Sequence, residues 1–264
     1  MGMMAFSKLN KLMPMRKAKT GGTRISVAAA EMPEGYCAYV IGDIHGRNDL
    51  LVPLLANIAA DAVKRSALNT HLIFLGDYVD RGPASAAVID TILDLDLPQM
   101  NIVTLNGNHE ASMLTFLDDP LKGKRWLHFG GDATVQSYGI DISVGELTSE
   151  DIVSVREKLQ KALPDRHRAF LEGLVESYTL GDYFFAHAGI DPTVALSAQK
   201  ERDLLWIRDE FLLHGDAYEK VIVHGHSITP APEFKTNRIG IDTGAFYSNK
   251  LTCLVLDGKN KDIL

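Results

Sequence analysis

Tyr36-Cys37-Ala38-Tyr39-Val40-Ile41 runs directly into Gly42-Asp43-Ile44-His45-Gly46, and the architecture of the chain can be read outward from these eleven residues. The apolar, β-prone run predicts a buried strand, and the glycine-flanked acid and imidazole predict a tight loop at its end. Residues 49 to 66 then carry an amphipathic helical pattern, and residues 71 to 75 read as a second strand. That strand closes on another glycine-bounded loop, Gly76-Asp77-Tyr78-Val79-Asp80-Arg81-Gly82. Pro83 follows and is expected to open the next helix, where its missing N–H is not needed. Strand, loop, helix, strand is βαβ order, which places the chain in the α/β class. Further strands are expected at residues 102 to 105, 183 to 186, 220 to 223 and 251 to 256.

Three more short segments share the character of these loops: Gly107-Asn108-His109-Glu110, His187-Ala188-Gly189 and His224-Gly225-His226. Carboxylates, imidazoles and an amide at strand ends are a donor set for two cations. Two ions about 3.5–4 Å apart answer the needs of phosphate ester hydrolysis at neutral pH, an activated water and neutralised phosphoryl charge. Asp77 is the expected bridge, with Asp43 and His45 completing one ion and Asn108, His187 and His226 the other. Mixed oxygen and imidazole donors suit two divalent ions such as Mn2+, with Fe or Zn as alternatives, better than an all-oxygen Mg or Ca cage. No thiolate belongs to the set, so structural zinc is not expected.

In their order and wording, GDxHG, GDxxDRG and GNHE with two downstream histidines, these segments resemble the phosphoprotein phosphatase branch of the calcineurin-like metallophosphoesterases, over roughly residues 38 to 256. The resemblance implies two packed mixed β-sheets flanked by helices, a four-layer αββα sandwich. It implies one catalytic domain over residues 36 to 258, with a helical cap-like region at 118 to 180 beside the cleft. It further implies that His109 is the general acid, oriented by Asp80, and that Arg81, Arg208 and Asn108 bind phosphate. The expected reaction is removal of phosphate from Ser and Thr, and by extension Tyr, of proteins or peptides. A metal-bridging hydroxide would attack directly, without a phosphoenzyme. Gly240-Ile241-Asp242-Thr243-Gly244-Ala245 stands where eukaryotic members carry a Ser-Ala-Pro-Asn-Tyr loop, which gives the sequence a bacterial or phage-like look and leaves Tyr247 without a role. One rival is a dinucleoside polyphosphate hydrolase, a relative that commonly has Gln at the position of His45. Another is an inactive regulatory or binding protein on the same fold, which would lack a ligand or the acid; every one is present.

Plainer readings compete at single positions. Glu110 is expected to be ordinary helix-start charge. His224 and His226 lie two apart on a strand and should face the same side, with His226 the ligand and His224 behind it. Asp242 is expected to support the site at most, and His71, His128, His167 and His214 to be ordinary surface or core residues. In the cap-like region, Lys122, Lys124, Arg125, Trp126, His128 and Tyr138 are candidate substrate contacts, with Trp126 at least as well suited to packing.

The chain's 264 residues, 46% of them hydrophobic, suffice for one large core. Cys37 and Cys253 lie in apolar runs and form no disulfide scaffold, which suggests a reducing, cytoplasmic setting. No run of eighteen apolar residues exists, so no transmembrane segment is expected. Residues 1 to 24 hold six Lys and Arg and no acid, so without them the formal charge falls from −7 to −13. A basic, flexible arm over residues 1 to 30 is expected, with nucleic-acid or membrane-surface contact as an unsupported option. Phe6 breaks the myristoylation pattern begun by Met1-Gly2.

Overall fold

The computed structural model describes residues 24–264, apart from 66, 143, 144 and 146. The chain runs β1 (Tyr36–Ile41), α1 (Asn48–Arg65), β2 (Asn69–Phe74), α2 (Ser85–Leu93), β3 (Met100–Thr104) and α3 (Asn108–Asp118). A helical stretch follows, α4 (Asp132–Ser137), α5 (Ser149–Ala162) and α6 (Asp165–Glu172). The second half contains β4 (Ser177–Leu180), β5 (Tyr183–Ala186), α7 (Glu201–Trp206), α8 (Asp209–Leu212), β6 (Val221–His224), β7 (Glu233–Phe234), β8 (Arg238–Gly240), α9 (Ala245–Ser248), β9 (Cys253–Asp257) and β10 (Asn260–Ile263).

The strands form two mixed five-stranded sheets, ordered β10-β9-β1-β2-β3 and β4-β5-β6-β8-β7. β1, β2 and β3 are parallel, as are β5, β6 and β8, while β9, β10, β4 and β7 pair antiparallel at the flanks. Alternation along each strand sorts side chains into layers. Tyr39, Ile41 and Phe74 face α1, α2 and α3, packing on Leu51, Ile58, Val88 and Phe116. Their neighbours Ala38, Val40 and Ile73 face the second sheet and meet Phe185, Val221, Val223 and Ile239. On the outer side of that sheet, Phe184 and Ile222 pack against Leu204, Phe211 and Tyr218. The result is the expected four-layer αββα sandwich. Burial on both faces explains why the central strands read as continuous apolar runs, and each fully buried Ile or Phe contributes roughly 1.5–3 kcal/mol.

Several local expectations are corrected. Pro83 lies in a turn, and α2 begins at Ser85 after the non-helical Ala84. Residues 1–23 lie outside the described residues, but the expected arm does not extend to residue 30: Ile25 and Val27 donate to the carbonyls of Tyr218 and Thr236, and Ala30 is fully buried. Segment 118 to 180 is largely helical and packs onto the body of the domain. Ile152, Val155 and Leu159 of α5 join the same core as α1 to α3, and β4 belongs to the second sheet. Among the described residues, no helix is long and apolar enough to cross a membrane.

Candidate active site

The parallel strands β1, β2, β3, β5 and β6 all deliver their following loops to one edge of the sandwich, where α/β sheets bind ligands. The loops are sharply bent. His45, Asp77, Asp80, Arg81 and His226 all have positive φ, between 48° and 74°, and Asn249 is the only other such non-glycine among the described residues. Left-handed backbone at non-glycine residues costs on the order of 1–3 kcal/mol each, and it concentrates here because it aims side chains inward. Two glycines allow close approach: a Cβ on Gly225 would overlap Asp43 Oδ1, and one on Gly107 would overlap Asp77 Oδ1.

Asp77 lies at the centre. Its Oδ2 is 3.4 Å from His45 Nε2 and 3.9 Å from His109 Nε2, while its Oδ1 is 3.4 Å from His187 Nε2. Two groups could each hold a cation, His45/Asp77/His109 and Asp77/His187/His226, and they share Asp77. Asn108 Oδ1 closes the second group, 2.9 Å from His187 Nε2 and 2.8 Å from His226 Nδ1. The donor chemistry fits a metal. His45 Nδ1–H donates to Val79 O and His187 Nδ1–H to Leu75 O, both at 2.9 Å. Those bonds fix the tautomers and leave both Nε2 lone pairs facing Asp77. His187 Nε2 also sits 3.2 Å from His226 Nδ1, so acceptor atoms converge on acceptor atoms, a contact that a cation resolves.

Electrostatics follow from depth. Burial drives the His45 imidazole down to about 3 and His226 to about 2, and lowers His187, so all three are neutral and ready to ligate. Burial works against ionisation of Asp77, but positive charge on the imidazoles of His187, His109 and His45, when they are protonated, holds it well below the usual carboxylate range, and of the three only His109 is held above its ordinary value. Asp43 is the sequence-proposed ligand that stands outside both groups. Its carboxylate accepts the backbone N–H of His226 at 3.0 and 3.2 Å, and burial together with Asp242 and Asp77 pushes it well above its ordinary value.

His109 has the surroundings of a proton donor. Its Nδ1 lies 2.6 Å from Asp80 Oδ2, inside a fully buried pocket. Burial alone would depress this imidazole, yet Asp77 and the Asp80 bond hold it above the ordinary histidine value. Burial also raises Asp80, against the pull of three donors: His109, Trp126 Nε1 at 2.7 Å and Thr134 Oγ1 at 2.7 Å. Arg81 bridges the front, with Nη1 2.9 Å from His45 Nε2 and Nη2 3.1 Å from His109 Nε2. Its guanidinium stacks 4.8 Å from the Phe246 ring centroid. Arg208 stands on the opposite side, exposed, with Nη1 3.5 Å from the carbonyl of His226 and 3.4 Å from Ser227 Oγ.

Four residues matter more than, or otherwise than, the sequence suggested. Glu110 does stand in the first turn of α3, but it is fully buried and does more there: it accepts N–H bonds from Asp77, Tyr78, Val79 and Gly107 at 2.8–3.1 Å and so shapes the Asp77 loop. Its N3 position after Gly107 was the available signal. Trp126 packs in the core and also donates its indole N–H to Asp80 Oδ2, so it is too deeply buried to be a substrate contact. Phe246, on α9, meets Arg81 only through the fold, and nothing in its spacing marks it. His224 does not share a side with His226, because β6 ends at His224 and the chain turns into left-handed backbone at His226. Its Nε2 instead accepts from Arg238 Nη1 at 3.2 Å.

One carboxylate shared by two histidine groups at the carboxyl edge of an αββα sandwich is the arrangement expected of a metal-dependent phosphoesterase. The family model described as calcineurin-like phosphoesterase matches residues 38–249, and the chain belongs to that family. It is similar to an asymmetrical bis(5'-nucleosyl)-tetraphosphatase PrpE of Anoxybacillus flavithermus, 27% identical, with 81% of this chain and 88% of the relative covered. It is also similar to serine/threonine-protein phosphatase 2 of Salmonella typhimurium, 29% identical, with 81% and 90% covered. A cold-active protein-tyrosine phosphatase of a Shewanella species shares the fold at a TM-score of 0.55 and 16% identity, over 88% of this chain and 80% of that one.

Proposed function

We propose that the chain removes phosphate from Ser and Thr side chains of proteins or peptides, with two divalent ions, manganese in preference, held by Asp43, His45, Asp77, Asn108, His187 and His226. The observation that carries this reading is the buried His109–Asp80 pair at 2.6 Å. A serine or threonine alkoxide is a poor leaving group and requires a proton as the ester breaks, whereas a nucleotide phosphate leaves readily without one. Protonated on both nitrogens, His109 keeps Nδ1–H on Asp80 and offers Nε2–H to the leaving oxygen. Arg81 and Arg208 supply guanidinium donors to the phosphoryl oxygens from two sides, and Asn108 offers its amide N–H. The bound ions would add charge neutralisation and an activated water.

A second reading, cleavage of dinucleoside polyphosphates, is favoured by the similarity to the PrpE bis(5'-nucleosyl)-tetraphosphatase. The manganese-loaded protein, given phosphoserine and phosphothreonine peptides beside diadenosine tetraphosphate, decides between them by product. Efficient release of inorganic phosphate from peptides supports the first reading, and selective formation of nucleotides supports the second.

A further inference from the structure

Beside the metal groups lies a cavity of about 800 Å³ to which none of the roles above assigns a purpose. That volume lies within the roughly 300–1,000 Å³ typical of ligand clefts. Two of its lining residues adjoin the candidate active site. Arg208, the second phosphate arginine of the proposed reaction, lines it and also reaches the carbonyl of His226. Trp206 lines it too, 49% exposed, with its ring 6.4 Å from that of His226. The loop that leaves His187 forms another wall through Ile190, Pro192 and Val194.

The charges on this wall are unequal. Asp191, Asp203, Glu210, Asp216 and Glu219 face three guanidinium groups, those of Arg24, Arg202 and Arg208. Arg24 is paired with Asp216 at 3.6 Å, and Arg208 leans toward the metal side. Asp203 and Glu210, like Arg202, have no ion-pair partner among the described residues, so the wall as a whole carries five carboxylates against three guanidinium groups. A polyphosphate tail would meet net negative charge here. A lysine or arginine stem would meet apolar wall along its methylenes, an indole face, and carboxylates for its head.

We infer that this cavity is a specificity subsite that receives a basic side chain flanking the phosphorylated residue of a peptide substrate. The inference rests on the phosphopeptide reading above and adds a sequence preference to it.

The test is a matched set of phosphothreonine peptides, identical except for Arg, Ala or Glu at the flanking positions, with the manganese-loaded full chain and p-nitrophenyl phosphate as a reference for a competent metal site. The expected kcat/KM ratio of Arg to Glu peptide is roughly tenfold or more, falling toward unity at high salt. Asp203→Asn combined with Glu210→Gln should bring the ratio to within about twofold, and Glu210→Lys should reverse it. The wild-type salt series stands even if a variant fails to fold. Equal rates for Arg and Glu peptides, or a ratio that persists in both folded variants, overturns the subsite while leaving the phosphatase reading intact. Hydrolysis of p-nitrophenyl phosphate and diadenosine tetraphosphate with no peptide cleaved overturns the phosphatase reading, and the subsite with it.

Discussion

The indole of Trp126 donates to Asp80 Oδ2 at 2.7 Å, and the same oxygen accepts from His109 at 2.6 Å. A residue of the helical segment thereby holds in place the carboxylate that orients the proposed acid. Trp126→Phe removes one donor from a fully buried carboxylate, which should cost about 1–3 kcal/mol of stability, read as a drop in melting temperature. Turnover should fall more on an alkyl phosphate than on p-nitrophenyl phosphate, whose leaving group needs little protonation. An equal loss on both esters would show that Trp126 acts on folding alone.

The acid and the bridge should separate by metal content. With Asp43, His45 and Asp77 as the first ion's ligands, His109→Asn and Asp80→Asn are expected to lower kcat on alkyl phosphates by roughly 10²–10⁴-fold while bound manganese, measured by elemental analysis, stays near two ions; loss of one ion in His109→Asn would instead make His109 a ligand of the group it forms with His45 and Asp77. Asp77→Asn should lose metal as well, since both cation-holding groups share that carboxylate. Full metal content in Asp77→Asn would sink its bridging role.

Glu110 gathers four backbone N–H groups around the Asp77 loop. In Glu110→Gln, an amide NH2 must face at least one of those donors, so a loss of about 1–3 kcal/mol or more is expected. Because Asp77 sits at φ 51° on that loop, weaker manganese binding should accompany the lower melting temperature. Calorimetric titration of the folded variant measures it, and unchanged affinity would confine Glu110 to stability.

What the sequence made legible follows bonding range. β1 and β5 occur at the residues expected, because each is an apolar run stopped by a glycine loop or a turn. β4, β7, β8 and β10 were not among the expected strands. β4, β7 and β10 are short or polar strands at the flanks, paired only because a neighbour is there, and β8, though buried inside the second sheet, has three residues, too few to carry a pattern. At the site, the glycine-bounded segments carried the acids, imidazoles and amide, so they could be read in place. Trp126 lies 46 residues from Asp80, and Phe246 meets Arg81 only through the fold. No local spacing encodes such contacts, and the same holds for the loss of strand geometry that separates His224 from His226.

The stacking of Arg81 on Phe246 leads to a binding prediction. The Arg81 side chain is otherwise held by lone pairs of His45 and His109, the first of which a metal would take and the second of which a proton occupies in the proposed acid form. The ring then becomes the lasting contact that keeps the guanidinium over the cleft. Phe246→Ala should therefore raise KM for phosphate esters and weaken inhibition by inorganic phosphate, both by about 2–30-fold, the range of a cation–π contact of roughly 0.5–2 kcal/mol. Phe246→Tyr keeps the face of the ring and should restore both constants.

Away from the site, acid stability should depend on Asp61. Its hydrogen bond from Arg65, at 2.6 Å, holds the carboxyl below its reference value of 3.8, and Tyr39 adds a second donor at 2.8 Å. A depressed carboxylate stabilises the fold fully above its unfolded pKa, and that contribution disappears as pH falls through the folded one. The loss should therefore lie below about pH 4, and the side chain's one-fifth exposure limits it to roughly 0.3–1 kcal/mol. In Asp61→Asn the melting temperature should be lower at neutral pH and should approach that of the parent as both are acidified through this window. Parallel curves from pH 7 to pH 3 would remove Asp61 from the acid response.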